Sequence, residues 1–201
     1  MSGNGRDEPF AFTPENVERA KAFVDRYPRG RQKSAVMPLL DLAQRQTGGW
    51  LPPAAIDHVA DYLGMPAIRV FEVATFYTMY HLEPVGKHVV GVCTTTPCWL
   101  RGSDEVLETC REVLGIGVGE TTGDGRFTLT ELECLGACCN APVIRVDDDY
   151  YEDLDADAVR RVLEGLKRGE KPAPGSSIGR RSSEPVTGLT TLQAAQPPQG
   201  S

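Results

Sequence analysis

All six cysteines of this 201-residue chain fall after residue 92, at Cys93, Cys98, Cys110, Cys134, Cys138 and Cys139. Four of them form two close pairs, Cys93-x4-Cys98 and Cys134-x3-Cys138, with thirty-five residues between the pairs. Thiols with a shared task would require a fold that brings two distant loops to one place. The N-terminal stretch MSGNGRDEPFAF has no apolar h-region and carries Asp7 and Glu8, so neither a secretory signal nor a transit peptide is expected there. An intracellular setting disfavours a disulfide framework and favours metal or redox chemistry. The net charge of −7 argues against a nucleic-acid binder, which needs a basic face for phosphates. Apolar runs fall far short of the roughly 20 residues of a membrane span.

The first half reads as helices. Thr13 is a suitable N-cap and Pro14 suits a first helical position. Further helices are predicted from Ser34 to about Gln46, from Pro53 to Leu63 and from Pro66 to about Tyr80. The second half changes period. Strands are predicted at His88–Val92, Phe127–Leu132 and Pro142–Val146, with a fourth beginning at Tyr150. Ser103 is read as the cap of a helix closed by Gly115, and Asp155 as the cap of one closed by Gly169. The expected class is α+β: a flexible N-terminus over 1–13, a helical bundle over 14–83 and an α/β domain over 84–170. That domain has an element order compatible with a thioredoxin-like sheet. Residues 171–201 hold five prolines and four glycines and carry a local charge of +2. They read as an extended or disordered tail suited to a partner surface.

Both cysteine pairs sit at the ends of predicted strands. Adjacent, parallel strands would bring the two loops to one sheet edge and let four thiols converge. Such a set suits two iron ions, each held by two thiolates and bridged by sulfide. On spacing alone iron–sulfur comes first, structural zinc second and a dithiol third. Zinc sites prefer tighter spacers, and no C-x-x-C redox pair is present. Cys110 falls on an apolar helix face and reads as a buried small hydrophobe. Gly115-x-Gly117-x-Gly119 follows a helix rather than a strand, so no dinucleotide role is expected. The acidic run from Asp147 to Asp157 reads as a solvated turn and helix start. His58, His81 and His88 read as structural, and Phe71, Phe76, Tyr77 and Tyr80 as bundle core or domain interface.

Three segments carry a family resemblance: Glu72-Val-Ala-Thr-Phe-Tyr-Thr-Met-Tyr80, Val92-Cys-Thr-Thr-Thr-Pro-Cys98 and Glu133-Cys-Leu-Gly-Ala-Cys138. Gly49-Trp-Leu-Pro52 and Glu184-Pro-Val-Thr-Gly-Leu-Thr190 add to it. Together they resemble the NuoE family, the thioredoxin-like [2Fe-2S] subunit of respiratory complex I. The resemblance implies a helical part joined to a thioredoxin-like ferredoxin domain, with one [2Fe-2S] cluster on Cys93, Cys98, Cys134 and Cys138. It implies a NuoF-type flavoprotein partner that holds FMN and the NADH site, and through it the peripheral arm of the complex. The chain would be an electron-transfer subunit with no catalytic residues of its own. Its expected place is the cytoplasmic side of a bacterial inner membrane, or the matrix side in a mitochondrion, without membrane insertion. Equivalent subunits of NAD-linked hydrogenases or formate dehydrogenases, and a zinc-stabilised interaction module, are the competing readings. Cys139 departs from the family pattern and is expected to be a buried thiol beside the fourth ligand.

Overall fold

The computed structural model describes residues 9–188 and residue 191. The chain divides between Lys87 and His88 into two compact units. The first eight residues and most of the expected tail after 188, including the end of the Glu184–Thr190 motif, lie outside the described residues.

The first unit consists of α1 (Pro14–Val24), a 3-10 turn (Gln32–Ala35), α2 (Val36–Gln46), α3 (Pro53–Leu63) and α4 (Ala67–Phe76). The Thr13 hydroxyl accepts from the Asn16 N–H, which satisfies one of the free donors at the start of α1. The Gln46 amide then ties that end to α2. Its oxygen accepts from Thr13 N at 3.1 Å and from Asn16 Nδ2 at 2.7 Å, and its nitrogen donates to Ala11 O at 2.8 Å. Gly64 stops α3 in the left-handed region at φ 59°, a conformation that costs glycine nothing. Leu39, Leu40, Leu42, Leu51, Val59 and Val70 fill the core. The fourth helix ends at Phe76, earlier than its apolar pattern predicts. Tyr77 is extended, and Tyr80 turns inward so that its hydroxyl donates to Met37 O at 2.9 Å. The aromatic cluster therefore splits. Tyr80 is buried, whereas Phe71, Phe76 and Tyr77 are exposed, so of the reading as bundle core or domain interface the core half holds for Tyr80 alone. Phe76 and Tyr77 cover each other edge to face at 5.0 Å.

The second unit is a five-stranded mixed sheet in the order β2-β1-β3-β4-β5. Its strands are β1 (His88–Cys93), β2 (Phe127–Leu132), β3 (Ile144–Val146), β4 (Asp149–Glu152) and β5 (Gly175–Ser176). Three helices join them: α5 (Thr96–Leu100), α6 (Ser103–Leu114) and α7 (Ala156–Lys167). β1 and β2 are adjacent and parallel, with His88 opposite Phe127 and Cys93 opposite Leu132. Parallel neighbours need a crossover, and α5 and α6 supply it. Val90, Val92, Phe127, Leu129 and Ile144 of the sheet pack with Val106, Cys110, Val159 and Leu163 of α6 and α7. Gly91 allows close approach on the other face of β1, where an added Cβ would sit 2.2 Å from Leu132 Cδ1.

The acidic run begins as a turn. Asp147 sits at φ 55° between β3 and β4, and its carboxylate accepts from Val89 N at 2.9 Å and meets His88 Nδ1 at 2.7 Å. Asp155 caps α7 through Ala158 N, as its position predicts. Ser103 does not cap α6. Gly102 occupies the cap position at φ 95°, and Ser103 is the first helical residue with its side chain buried. The short α5 runs almost directly into α6 and leaves no extended residue to act as a serine cap. Two elements have no counterpart in the sequence reading: α5, and β5, which pairs parallel to β4. Of the segment read as a tail, the described part pairs with the chain's own sheet through β5.

Candidate metal centre

The pairing of Cys93 with Leu132 places the exits of β1 and β2 side by side. Two bonds clasp the loops that follow. Thr94 N donates to Leu132 O at 3.4 Å, and Thr94 Oγ1 donates to Glu131 Oε1 at 2.7 Å. The first loop turns at once into α5, where Pro97 suits the opening of a helix and Cys98 faces inward. The second loop turns at Gly136, at φ 78°, and enters a 3-10 turn over Cys138–Asn140. Tyr150 fastens it by donating from its hydroxyl to Leu135 O at 3.1 Å.

These turns bring Cys93, Cys98, Cys134 and Cys138 into one neighbourhood. Cys134 Sγ lies 3.4 Å from Cys138 Sγ, and the Cys93 and Cys98 thiols shift each other's ionisation. The pairs also feel each other: Cys93 acts electrostatically on Cys134 and Cys138, and Cys138 on Cys98. Cys93 and Cys98 are buried beside Ala141 and Val143, with Leu135 and Ala137 packed over them. Cys134 and Cys138 are exposed.

Each pair contains one easily ionised thiol and one resistant one. Burial works against the Cys93 thiolate, but the Thr95 hydroxyl, the Leu135 and Thr95 N–H groups and Cys98 outweigh it, so its pKa falls below the ordinary thiol value. Burial and the shared bond with Cys93 push Cys98 up to about 12. The Gly136 N–H, at 3.4 Å from Cys134 Sγ, lowers Cys134 together with Cys138, while the bond to Cys134 and desolvation raise Cys138. Two close thiols sharing one proton behave in this way. Metal ligation removes both protons and leaves the N–H and O–H donors to stabilise thiolate sulfur.

The donor set fits a [2Fe-2S] cluster in three respects: two sulfur pairs on two loops, one pair buried and one at the surface, with backbone N–H groups aimed at sulfur. Among the described residues no three His, Cys, Asp or Glu side chains form a cage for a single metal ion. Cys139 follows Cys138 within the 3-10 turn. Its thiol is exposed, which corrects the expectation of a buried one, because the 3-10 turn rotates it away from its predecessor. Cys110 is fully buried on α6, as its apolar face predicts. Thr94, Thr95 and Arg180 were missed in the sequence. The threonines stand between the cysteines of the first loop, and that position was the available signal. Arg180 gave none beyond the positive charge of the tail.

Burial orders the thiols by reactivity. In the cluster-free chain at pH 8, timed alkylation read by mass spectrometry is expected to label Cys134, Cys138 and Cys139 well before Cys110. Burial holds Cys110 at about 12, so its thiolate fraction grows only as pH climbs toward that value. Labelling of Cys110 as fast as Cys139 in the folded chain would contradict this packing.

The model of the thioredoxin-like [2Fe-2S] ferredoxin family matches residues 20–167. The chain is 54% identical over 158 residues to the E subunit of the NADH-quinone oxidoreductase of Rickettsia conorii, spanning 79% of this chain and 95% of that one. It is 46% identical over 197 residues to the mitochondrial NADH dehydrogenase [ubiquinone] flavoprotein 2 of Dictyostelium discoideum, spanning 98% of this chain and 79% of that one. Among solved structures, an NAD+-reducing [NiFe]-hydrogenase in the H2-reduced state superposes with a TM-score of 0.57 at 19% identity, over 65% of this chain and 22% of that one, a likeness of fold. This chain belongs to the family of thioredoxin-like [2Fe-2S] ferredoxins that includes the E subunits of NADH-quinone oxidoreductase.

Proposed function

We propose that the chain is the [2Fe-2S] electron-transfer subunit of an NADH:quinone oxidoreductase, with Cys93, Cys98, Cys134 and Cys138 as the cluster ligands. The observation that carries this reading is the meeting of the two cysteine pairs at the shared edge of parallel β1 and β2, in a chain of this family. Bound there, a [2Fe-2S] cluster supplies one-electron storage. The protein's own part is to hold and shield. Leu135 and Ala137 cover the buried pair and exclude water, and the Leu135, Gly136 and Thr95 donors offset negative charge on sulfur. The exposed pair, Cys134 and Cys138, gives the side from which an electron partner approaches.

The chain carries no NADH or flavin chemistry of its own in this reading. A NuoF-type flavoprotein subunit holds FMN and NADH and exchanges single electrons with this site, within the peripheral arm of complex I. No described helix is long and apolar enough to cross a membrane, and a peripheral place on the cytoplasmic side of a bacterial inner membrane fits the reading. Relatives at 54% identity weigh more for this complex than a fold likeness at 19% weighs for a hydrogenase.

Aerobically purified full chain is expected to be red-brown, with iron and acid-labile sulfide in equal amounts. One-electron reduction should give the low-temperature EPR signal of a single [2Fe-2S] centre, and the flavoprotein subunit should co-purify. A colourless protein that contains zinc, with no EPR signal on reduction, overturns the proposal.

A further inference from the structure

The last described segment of the chain is fastened to the second cysteine loop. Arg180 does most of the fastening, with a side chain only 9% exposed, facing an Asp153 side chain 7% exposed. Its Nε donates to Asp153 Oδ2 at 3.0 Å, and its Nη2 is bonded to Asp153 Oδ1. The same Nη2 donates to Cys139 O at 2.7 Å, and Nη1 donates to Glu184 O at 2.9 Å. A second tie follows one residue later, where Asn140 Nδ2 donates to Ser182 O at 2.7 Å and to Glu152 Oε2 at 2.6 Å. Asp153 is itself held by Ser176 Oγ at 2.6 Å. Burial opposes the Asp153 charge, but Arg180 and Ser176 outweigh it and keep the carboxyl below its usual range.

Two features make this more than a surface ion pair. The planar guanidinium reaches a carboxylate and two backbone carbonyls at once, a geometry that a lysine ammonium cannot reproduce. The carbonyl of Cys139 also belongs to the 3-10 turn that begins at Cys138. A tail residue thus fixes the backbone next to a sulfur ligand.

We propose that Arg180 is a positioning residue for the cluster: through the Cys139 carbonyl it fixes the turn that aims Cys138, and it offsets the charge of the Asp153 carboxylate packed against that turn. The inference rests on the cluster assignment above. Its electrostatic half has a sign. Removing Arg180 leaves a carboxylate near an anionic centre, which makes reduction harder, while neutralising Asp153 leaves a cation there, which makes it easier.

The test uses the full chain and its Arg180→Ala, Arg180→Lys and Asp153→Asn variants, with EPR-monitored redox titration and the rate of cluster loss to a chelator. Arg180→Ala is expected to lower the midpoint potential and to lose the cluster about tenfold faster, the scale seen when groups supporting a metal ligand are removed. Asp153→Asn is expected to raise the midpoint. Arg180→Lys is expected to keep the midpoint near that of the parent but to lose the cluster faster, and it serves if the alanine variant does not fold. Midpoint shifts of the same sign in Arg180→Ala and Asp153→Asn, or cluster loss as slow as in the parent, overturn the proposal. Hydrogen exchange of cluster-free chains adds a readout that needs no metal. Residues 134–140 should exchange faster in Arg180→Ala than in the parent, and equal rates overturn the tie. A parent chain that takes up no [2Fe-2S] cluster removes the functional reading instead, and the exchange comparison still judges the tie.

Discussion

Cys138→Ala is expected to lose most of its bound iron, while Cys139→Ala keeps a full [2Fe-2S] spectrum. The two loops would match in spacing if Cys139 were the ligand, since Cys134-x4-Cys139 repeats Cys93-x4-Cys98. The geometry favours Cys138. Gly136 at φ 78° folds the loop back so that Cys138 Sγ lies 3.4 Å from Cys134 Sγ. Cys138 also acts electrostatically on Cys98, across the gap between the loops. In a 3-10 turn of about three residues per turn, successive side chains diverge by roughly a third of a circle, so two neighbours cannot face one iron. The Cys139 carbonyl is committed to Arg180. Iron content, visible absorption and EPR of the two alanine variants decide the matter. Loss confined to Cys139→Ala would place the fourth ligand there, and a shifted but intact spectrum in Cys138→Ala would show that Cys139 can take over.

Phe127→Ala is expected to cost about 3–5 kcal/mol of stability, the range for truncating a buried aromatic side chain. Phe127 opens β2, is 1% exposed and is among the largest fully buried side chains. Its ring lies 5.5 Å from that of His88 on the neighbouring strand, with the Arg126 guanidinium 5.4 Å above it. A loss of that size is a large part of the roughly 5–15 kcal/mol that keeps an ordinary domain folded. Phe76→Ala makes the control. That side chain is 78% exposed in the isolated chain, and its removal should stay within about 0.5 kcal/mol. Urea unfolding of the cluster-free chain, followed by circular dichroism, measures both. A cost at Phe127 no greater than at Phe76 would refute the described packing.

The sequence showed its helices where side chains announce their ends. Thr13-Pro14 opens α1 and Asp155 opens α7 because a short polar oxygen can reach a free N–H there. Neighbouring parallel strands were legible from two β-branched or apolar runs separated by one helix, each ending at a cysteine. The short α5 was not legible, since five residues starting Thr-Pro carry no periodic stripe. Nor was β5, whose two residues, Gly175 and Ser176, have no apolar pattern and gain their place by pairing with β4. Of the site, the clustering of the four sulfurs followed from the two strand ends, but the surrounding hydrogen bonds did not. Arg180 and Asp153 are far apart in sequence, and a bond between them is a property of the folded chain alone.

The parallel pairing of β1 and β2 sets an order on synthesis. The first cysteine pair leaves the ribosome ahead of the second, with thirty-five residues, α6 among them, made in between. Until Phe127–Leu132 has been made and laid beside His88–Cys93, a nascent chain offers metal only half of the proposed sulfur ligands. Iron delivery is thus a late event, gated by a long-range contact that is slow to form. On the proposed ligand set, loops at the ends of both strands would hold the cluster, and its binding free energy would then favour their pairing. An iron-starved cell would accumulate chains with finished sheets and open loops, and the exposed Cys134, Cys138 and Cys139 are then the first thiols an oxidant meets.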